Sequence, residues 1–199
     1  MRRALKPAVF VASCLPMAYL AWAALAYGLS FNPILGANPI EAITRSLGDW
    51  ALRFLLITLT LTPLVKGAKF ADLARLRRMI GLFAFAYAVL HLASYVVLDQ
   101  FFDWHQIGRD ILKRNFITVG MAAVVVMIPL AVTSTNGWIK RMGFRKWKKL
   151  HRLVYVAGIG GALHYYWMVK ADLREPLIYA AFLAFLLGWR AWMRWKPAR

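Results

Sequence analysis

Cysteine is almost absent from the sequence, and acidic residues are scarce. Cys14 is the only cysteine, which excludes an internal disulfide, a cysteine-ligated zinc or iron–sulfur centre and a CxxCH cofactor-attachment site. Asp and Glu together number 8 against 26 Lys and Arg, so the formal net charge is +18. Histidine is also rare, with four residues in the chain. Apolar sequence, by contrast, is abundant.

Long apolar runs place the chain among the polytopic membrane proteins. Hydrophobic residues make up 61% of the 199 positions, whereas soluble domains hold about 45–50%. A helix needs about 20 largely apolar residues to cross the hydrocarbon core of a membrane. The sequence therefore predicts an all-α integral membrane protein, a six-helix transmembrane bundle that forms one domain over residues 1–199. The predicted spans cover residues 8–30, 48–65, 79–98, 115–134, 151–169 and 176–195.

Basic residues are divided unevenly between the two ends of the predicted spans. One end holds 18 Lys and Arg, and the other holds 6 together with seven of the eight acids. Cytoplasmic loops carry the excess of Lys and Arg, so both termini are predicted to be cytoplasmic. Insertion in a lipid membrane accounts for the basic charge, and no nucleic-acid partner is predicted. The basic end comprises the N-terminal tail and residues 66–78, 138–149 and 190–199.

Two histidines are predicted at the same depth in the membrane. His91 on the third span and His164 on the fifth each lie about 13 residues, or roughly 20 Å, from the cytoplasmic end of their helix. Two neutral imidazoles on separate helices suit a planar metal macrocycle held from both faces, and a hydrogen bond to a neighbouring helix is the simpler alternative. Arg53 is a further intramembrane charge, which is expected to pair with Asp49 or to face a cofactor carboxylate.

His151 lies at the cytoplasmic mouth of the fifth span. The 13-residue spacing turns it about 140° away from His164 on an ideal helix, so one helix face does not hold both. The glycines of "GIGG" at 158–161 lie between them and permit either close helix packing or the approach of a flat ring. Arg77 and Arg78 precede the third span on the same side, either as topology signals or as clamps for an anionic cofactor.

Short motifs on the third and fifth spans resemble a known family. "YAVLHLASY" surrounds His91, "KLHRLVY" surrounds His151, "LHYYW" surrounds His164, and "RRMIGL" opens the third span. Together, and over essentially the whole chain, these motifs resemble the haem-binding membrane subunit of the periplasmic methionine sulfoxide reductase system. That family belongs to the ferric-reductase and NADPH-oxidase transmembrane superfamily.

The resemblance implies an electron-transfer subunit in the bacterial inner membrane. Electrons from the respiratory quinone pool would pass through b-type haem to a periplasmic, molybdopterin-containing reductase that repairs oxidised methionines in envelope proteins. FMN is also associated with the family. His91 and His164 match its paired iron ligands, and His151 matches an additional histidine. The fourth histidine of a two-haem stack is missing, because Arg78 stands 13 residues before His91.

The sequence leaves two alternatives open. His151 either ligates a second haem or contacts the quinone or flavin that delivers electrons, with Arg77 or Arg78 beside the reduced, anionic cofactor. The second alternative concerns the function of the whole chain, which would be a small transporter or channel with structural histidines. Transport usually requires intramembrane acids or broken helices.

Overall fold

Helices form nearly all of the computed structural model, which describes residues 4–67 and 71–195. The outermost residues assigned to the cytoplasm, 1–3 and 196–199, lie outside the described residues, as do residues 68–70 of a predicted cytoplasmic loop. Two 3₁₀ turns, Ala71–Leu76 and His151–Leu153, precede helices, and a π-helical turn, Tyr95–Asp99, extends the third helix. The α-helices are α1 Leu5–Tyr27, α2 Pro39–Gly67, α3 Arg77–Ser94, α4 Trp104–Lys113, α5 Asn115–Val132, α6 Asn136–Met142, α7 Phe144–Leu150, α8 Val154–Met168 and α9 Arg174–Trp195.

Five helical segments of the described chain are long and apolar enough to cross a membrane. The predicted fifth span corresponds to α8, which has 15 residues and follows the 3₁₀ turn at His151–Leu153. At 1.5 Å per residue, α8 is about 22 Å long, shorter than a hydrocarbon core of about 30 Å. The sixth span therefore stays a prediction. The five segments are Leu5–Tyr27, Pro39–Val65, Leu73–Asp99, Asn115–Val132 and Arg174–Met193.

The second helix begins nine residues earlier than its apolar run indicates. The Asn38 side chain accepts a hydrogen bond from the Glu41 N–H (3.2 Å), and Pro39 at the first helical position has no N–H to satisfy. Glu41 and Arg45 then pair at 2.6 Å on the exposed side of the first two turns. Because these turns are polar, a hydropathy pattern predicts the start at residue 48 instead of Pro39.

Tyr87 joins α3 to α1 beside a proline. The Met17 N–H donates to the Tyr87 hydroxyl (3.1 Å), and that hydroxyl donates to the Ser13 carbonyl (2.8 Å). In a regular helix the Met17 N–H would bond to the Ser13 carbonyl directly. The tyrosine hydroxyl is thus inserted into the hydrogen-bond ladder of α1, next to Pro16.

Four helices surround the centre of the bundle: α2 packs along α3, and α5 packs along α8. Glycines allow the second pair to approach closely, since a Cβ added at Gly160 would lie 3.1 Å from the Ala123 Cβ. Gly160 therefore shows close helix packing, which is one of the two interpretations of the glycines at 158–161. Gly161 of the same run lines the central cavity described below.

Candidate functional site

His91 lies on α3 with its ring against α2. Its Nδ1–H donates to the Thr44 carbonyl at 2.7 Å. Gly48 lies one turn further along α2, and a Cβ there would be 3.0 Å from His91 Nδ1 and 3.1 Å from Cε1. Both distances are shorter than ordinary van der Waals contact, so the missing side chain gives the imidazole room to reach the carbonyl.

His164 on α8 repeats this arrangement against α5. Its Nδ1–H donates to the Phe116 carbonyl at 2.6 Å. A Cβ at Gly120, one turn further along α5, would lie 2.6 Å from His164 Nδ1. No side chain fits at that distance, so this glycine is required for the observed ring position.

Neither glycine was predicted as part of the site. Thr44 and Gly48 are four residues apart, as are Phe116 and Gly120, so each carbonyl and its glycine share one helix face. A glycine within an apolar run is a weak signal by itself. Its position opposite a histidine depends on how two helices are aligned, which a single sequence does not reveal.

The two imidazole rings lie close together in the centre of the bundle. Their centroids are 5.9 Å apart, and their planes make an angle of 80°. Because Nδ1 of His91 and of His164 carries the proton given to a carbonyl, Nε2 of each ring keeps a free lone pair. Two metal–nitrogen bonds of about 2 Å, with about 1 Å from each nitrogen to its ring centre, give a centroid separation of about 6 Å. The observed spacing matches imidazoles on opposite sides of one metal ion.

Both histidines line a cavity of about 290 Å³ between α2, α3, α5 and α8. Apolar side chains form most of its wall. The charged residues lie at the end near the first turns of α2 and the start of α5, which is the outer end in the predicted topology. Over residues 4–67 and 71–195, no group of three or more His, Cys, Asp or Glu side chains comes together as a metal site. Two imidazoles in an apolar cavity fit a metal that brings its remaining ligands with it, as the iron of a macrocycle does. The apolar wall includes Leu52, Leu55, Ala88, Val124, Met127 and Ala157.

A buried carboxylate holds two residues of the cavity wall. Asp110 on α4 is 4% exposed and accepts hydrogen bonds from the Tyr95 hydroxyl (2.9 Å), Gln106 Nε2 (3.0 Å) and Arg114 Nε (3.2 Å). Tyr95 and Arg114 line the cavity. The segment 99–114, which the sequence predicted only as an outer loop, thus contains a helix that is tied to the cavity wall.

His151 lies in the turn before α8, and it does not line the cavity. Its ring stacks on Trp147, with centroids 4.0 Å apart and an interplanar angle of 30°. Nδ1–H donates to the Trp147 carbonyl at 3.1 Å. Nε2 is buried and has no hydrogen-bond partner among the described residues. The structure therefore keeps His151 separate from the central pair and leaves it one buried, unsatisfied nitrogen.

The arginines singled out by the sequence also lie outside the cavity wall. Arg78 donates to the Asn136 side chain at 2.7 Å, and Arg77 is exposed. Arg53 donates its Nε–H to the Tyr179 hydroxyl at 2.8 Å, and its guanidinium lies 5.0 Å from the centre of the Trp50 ring. Arg53 does not line the cavity, so the second expected alternative is not found. Its charge still interacts with that of Asp49, the expected partner, in addition to these aromatic contacts.

Comparisons with known proteins show which family the chain belongs to. The model of a family described as ferric reductase like transmembrane component matches residues 47–162. The chain is similar to proteins named protein-methionine-sulfoxide reductase heme-binding subunit MsrQ. It is 57% identical to the Rhodospirillum rubrum protein over 186 residues, covering 92% of this chain and 85% of the relative.

Two further relatives carry the same name. Identity is 52% over 184 residues to the Caulobacter vibrioides protein, covering 92% of this chain and 85% of that one. It is 48% over 194 residues to a Xanthomonas oryzae protein, covering 98% and 88% respectively. No solved structure matches the chain. The similarity extends over nearly the whole sequence, and the chain therefore belongs to the MsrQ family of ferric-reductase-like transmembrane proteins.

Proposed function

We propose that the chain is the membrane electron-transfer subunit of a methionine sulfoxide reductase, with one b-type haem ligated by His91 and His164. The observation that carries this proposal is the pair of unpartnered Nε2 atoms in an apolar cavity, on rings 5.9 Å apart. Relatives that share about half of the sequence are named heme-binding subunits of this reductase.

A haem bound here supplies a one-electron couple within the membrane. The chain's own residues set its environment. The carbonyls of Thr44 and Phe116 hold each histidine in one tautomer and one orientation, as outer-shell partners of metal ligands commonly do. The apolar walls from four helices exclude water from the iron site. Both rings are therefore held in the ligating geometry before any cofactor binds.

We infer that electrons enter on the cytoplasmic side, near His151. Its buried Nε2 without a partner supports a contact to quinone or FMN at this place. Arg77 and Arg78 would supply positive charge beside a reduced, anionic quinone or flavin. The respiratory quinone pool is the proposed source of the electrons. The competing assignment is a second haem ligated by His151.

The proposed electron acceptor is a molybdopterin-containing reductase in the periplasm, which repairs oxidised methionines in envelope proteins. The distribution of 18 basic residues at one end of the spans and 6 at the other supports an inner-membrane topology with both termini in the cytoplasm. In that topology the outer end of the cavity, with Tyr95 and Arg114, faces the periplasm.

A reduced-minus-oxidised absorption spectrum of the purified protein tests the proposal. The wild type is expected to show a b-type haem, and His91→Ala and His164→Ala are expected to lose it while remaining in the membrane. His105→Ala is the matched control, because this histidine is exposed on α4. Full haem content in both single variants would refute the ligand assignment. A wild type without haem would favour the transporter or channel alternative.

A further inference from the structure

Every residue of formal charge on the cavity wall lies at its outer end. Arg45 and Asp49 come from the first turns of α2, Asp99 from the π-helical end of α3, and Arg114 from the residue before α5. Among the described lining residues, Arg45 and Arg114 are the only Lys or Arg side chains. Since the rest of the wall is apolar, a ligand with anionic groups must place them at this end.

Among the described residues, the ion-pair partner of Arg45 is exposed, and Asp49 one turn further along α2 attracts the guanidinium at longer range. Its guanidinium pairs with Glu41, four residues earlier on α2, and the two side chains are 56% and 49% exposed. An exposed pair at this spacing is weak, because water screens both charges. Arg45 can therefore exchange Glu41 for a less exposed anion at the mouth of the cavity.

Arg114 is held more firmly than Arg45, and the NH₂ groups of its guanidinium are free to donate. Its Nε–H bonds to Asp110, whose side chain is 5% exposed. The terminal NH₂ groups of Arg114 have no hydrogen-bond partner in the part of the chain that the structure describes. A guanidinium anchored through Nε presents these NH₂ groups in a fixed fork that matches a carboxylate.

We propose that Arg45 and Arg114 bind the two carboxylates that a b-type haem carries, so that the polar edge of the cofactor faces the outer surface. The inference rests on the proposed haem function. Asp49 and Asp99 also line this end and repel an anion, so a carboxylate bound here needs direct contact with the two arginines. The outer end of the cavity is thus the anion-binding end of the cofactor site.

The test compares Arg45→Gln with Glu41→Gln in the purified holoprotein. Two quantities are measured: the midpoint reduction potential of the haem and the rate at which haem transfers to excess apomyoglobin. Arg45→Gln is expected to lower the potential, because a nearby cation favours the reduced form, and to speed haem loss by about tenfold. Glu41→Gln removes the ion pair but keeps the arginine. In this variant the potential should not fall, and haem loss should not become faster. Arg45→Lys should restore most of the potential.

Haem dimethyl ester, in which both carboxylates are blocked, gives the most specific comparison. With this ester, wild type and Arg45→Gln are expected to lose haem at the same rate, because the carboxylates that the arginine contacts are blocked. Arg114→Gln should behave as Arg45→Gln does, with Arg109→Gln as the control because Arg109 does not line the cavity. A Glu41→Gln variant that matches Arg45→Gln, or a difference in haem loss between wild type and Arg45→Gln that persists with the ester, would overturn the proposal. Haem that survives His91→Ala would instead count against the proposed function.

Discussion

Replacing Gly120 by alanine places a methyl group against the ring of His164. The new Cβ would lie 2.6 Å from Nδ1, 3.0 Å from Cε1 and 3.2 Å from Cγ. To reach ordinary contact, the ring must retreat by about 0.8 Å from this methyl group, which separates Nδ1 from the Phe116 carbonyl. The same retreat moves Nε2 away from its place opposite His91.

The expected cost follows from these contacts. Overpacking a tightly fitted site costs about 1–3 kcal/mol, and the lost hydrogen bond contributes about 0.5–1.5 kcal/mol. The total of about 1.5–4.5 kcal/mol corresponds to a decrease in haem affinity of between about tenfold and a thousandfold. Alanine also favours a helical backbone over glycine by roughly 0.5–1 kcal/mol. The variant should therefore stay folded and lose cofactor.

A haem titration of the apoprotein in detergent measures this affinity. Gly48→Ala should weaken binding less, because its Cβ would be 3.0 Å from the His91 ring, and small shifts relieve that contact. Gly188→Ala in α9 is the matched control, since its Cβ would meet nothing within 4 Å. A Gly120→Ala protein that binds haem as tightly as the Gly188→Ala control would refute the proposed role of the close approach.

Three further substitutions and one topology experiment test other parts of the account. Tyr87→Phe removes both hydrogen bonds of the hydroxyl inserted in α1, and should lower the free energy of unfolding by about 2 kcal/mol, whereas Tyr19→Phe at an exposed position should not. Thermal unfolding in detergent measures both. Asp110→Asn removes the charge that holds Tyr95 and Arg114, and faster hydrogen exchange is expected in α4. His151→Ala should leave the central haem spectrum intact and slow its reduction by a quinol analogue, whereas loss of half the haem would favour the second-haem assignment. Reporter fusions within residues 99–114 should report the periplasm, and a cytoplasmic signal would reverse the topology.

The sequence predicted the histidine pair but not the structure that supports it. Equal depth on two spans depends only on helix rise and topology, so the sequence alone predicts that His91 and His164 lie at one level. The glycines and carbonyls that fix their rings depend on the rotation of α2 against α3 and of α5 against α8. That rotation is set by packing across the bundle, and no periodicity within one helix records it.

Helix boundaries were predicted well where the apolar run and the helix coincide. The fourth predicted span, 115–134, closely matches α5 at Asn115–Val132. The second predicted span, 48–65, lies within α2, which begins nine residues earlier because capping and a surface ion pair extend this helix beyond its apolar part. Helix α4 was missed for a related reason. It is short and largely polar, and the Asp103 side chain begins it by accepting from the Gln106 N–H.

Chemical rescue by imidazole tests the ligation by His91 and His164 most directly. Replacing His164 by glycine removes the ring and leaves space for a free ligand at the same position. We expect His164→Gly to bind little haem in a low-spin state, and added imidazole to restore the low-spin spectrum in proportion to its occupancy. His91→Gly should respond in the same way, and His105→Gly should keep the wild-type spectrum without imidazole. A low-spin haem in His164→Gly without imidazole, or no response to it, would contradict the assignment.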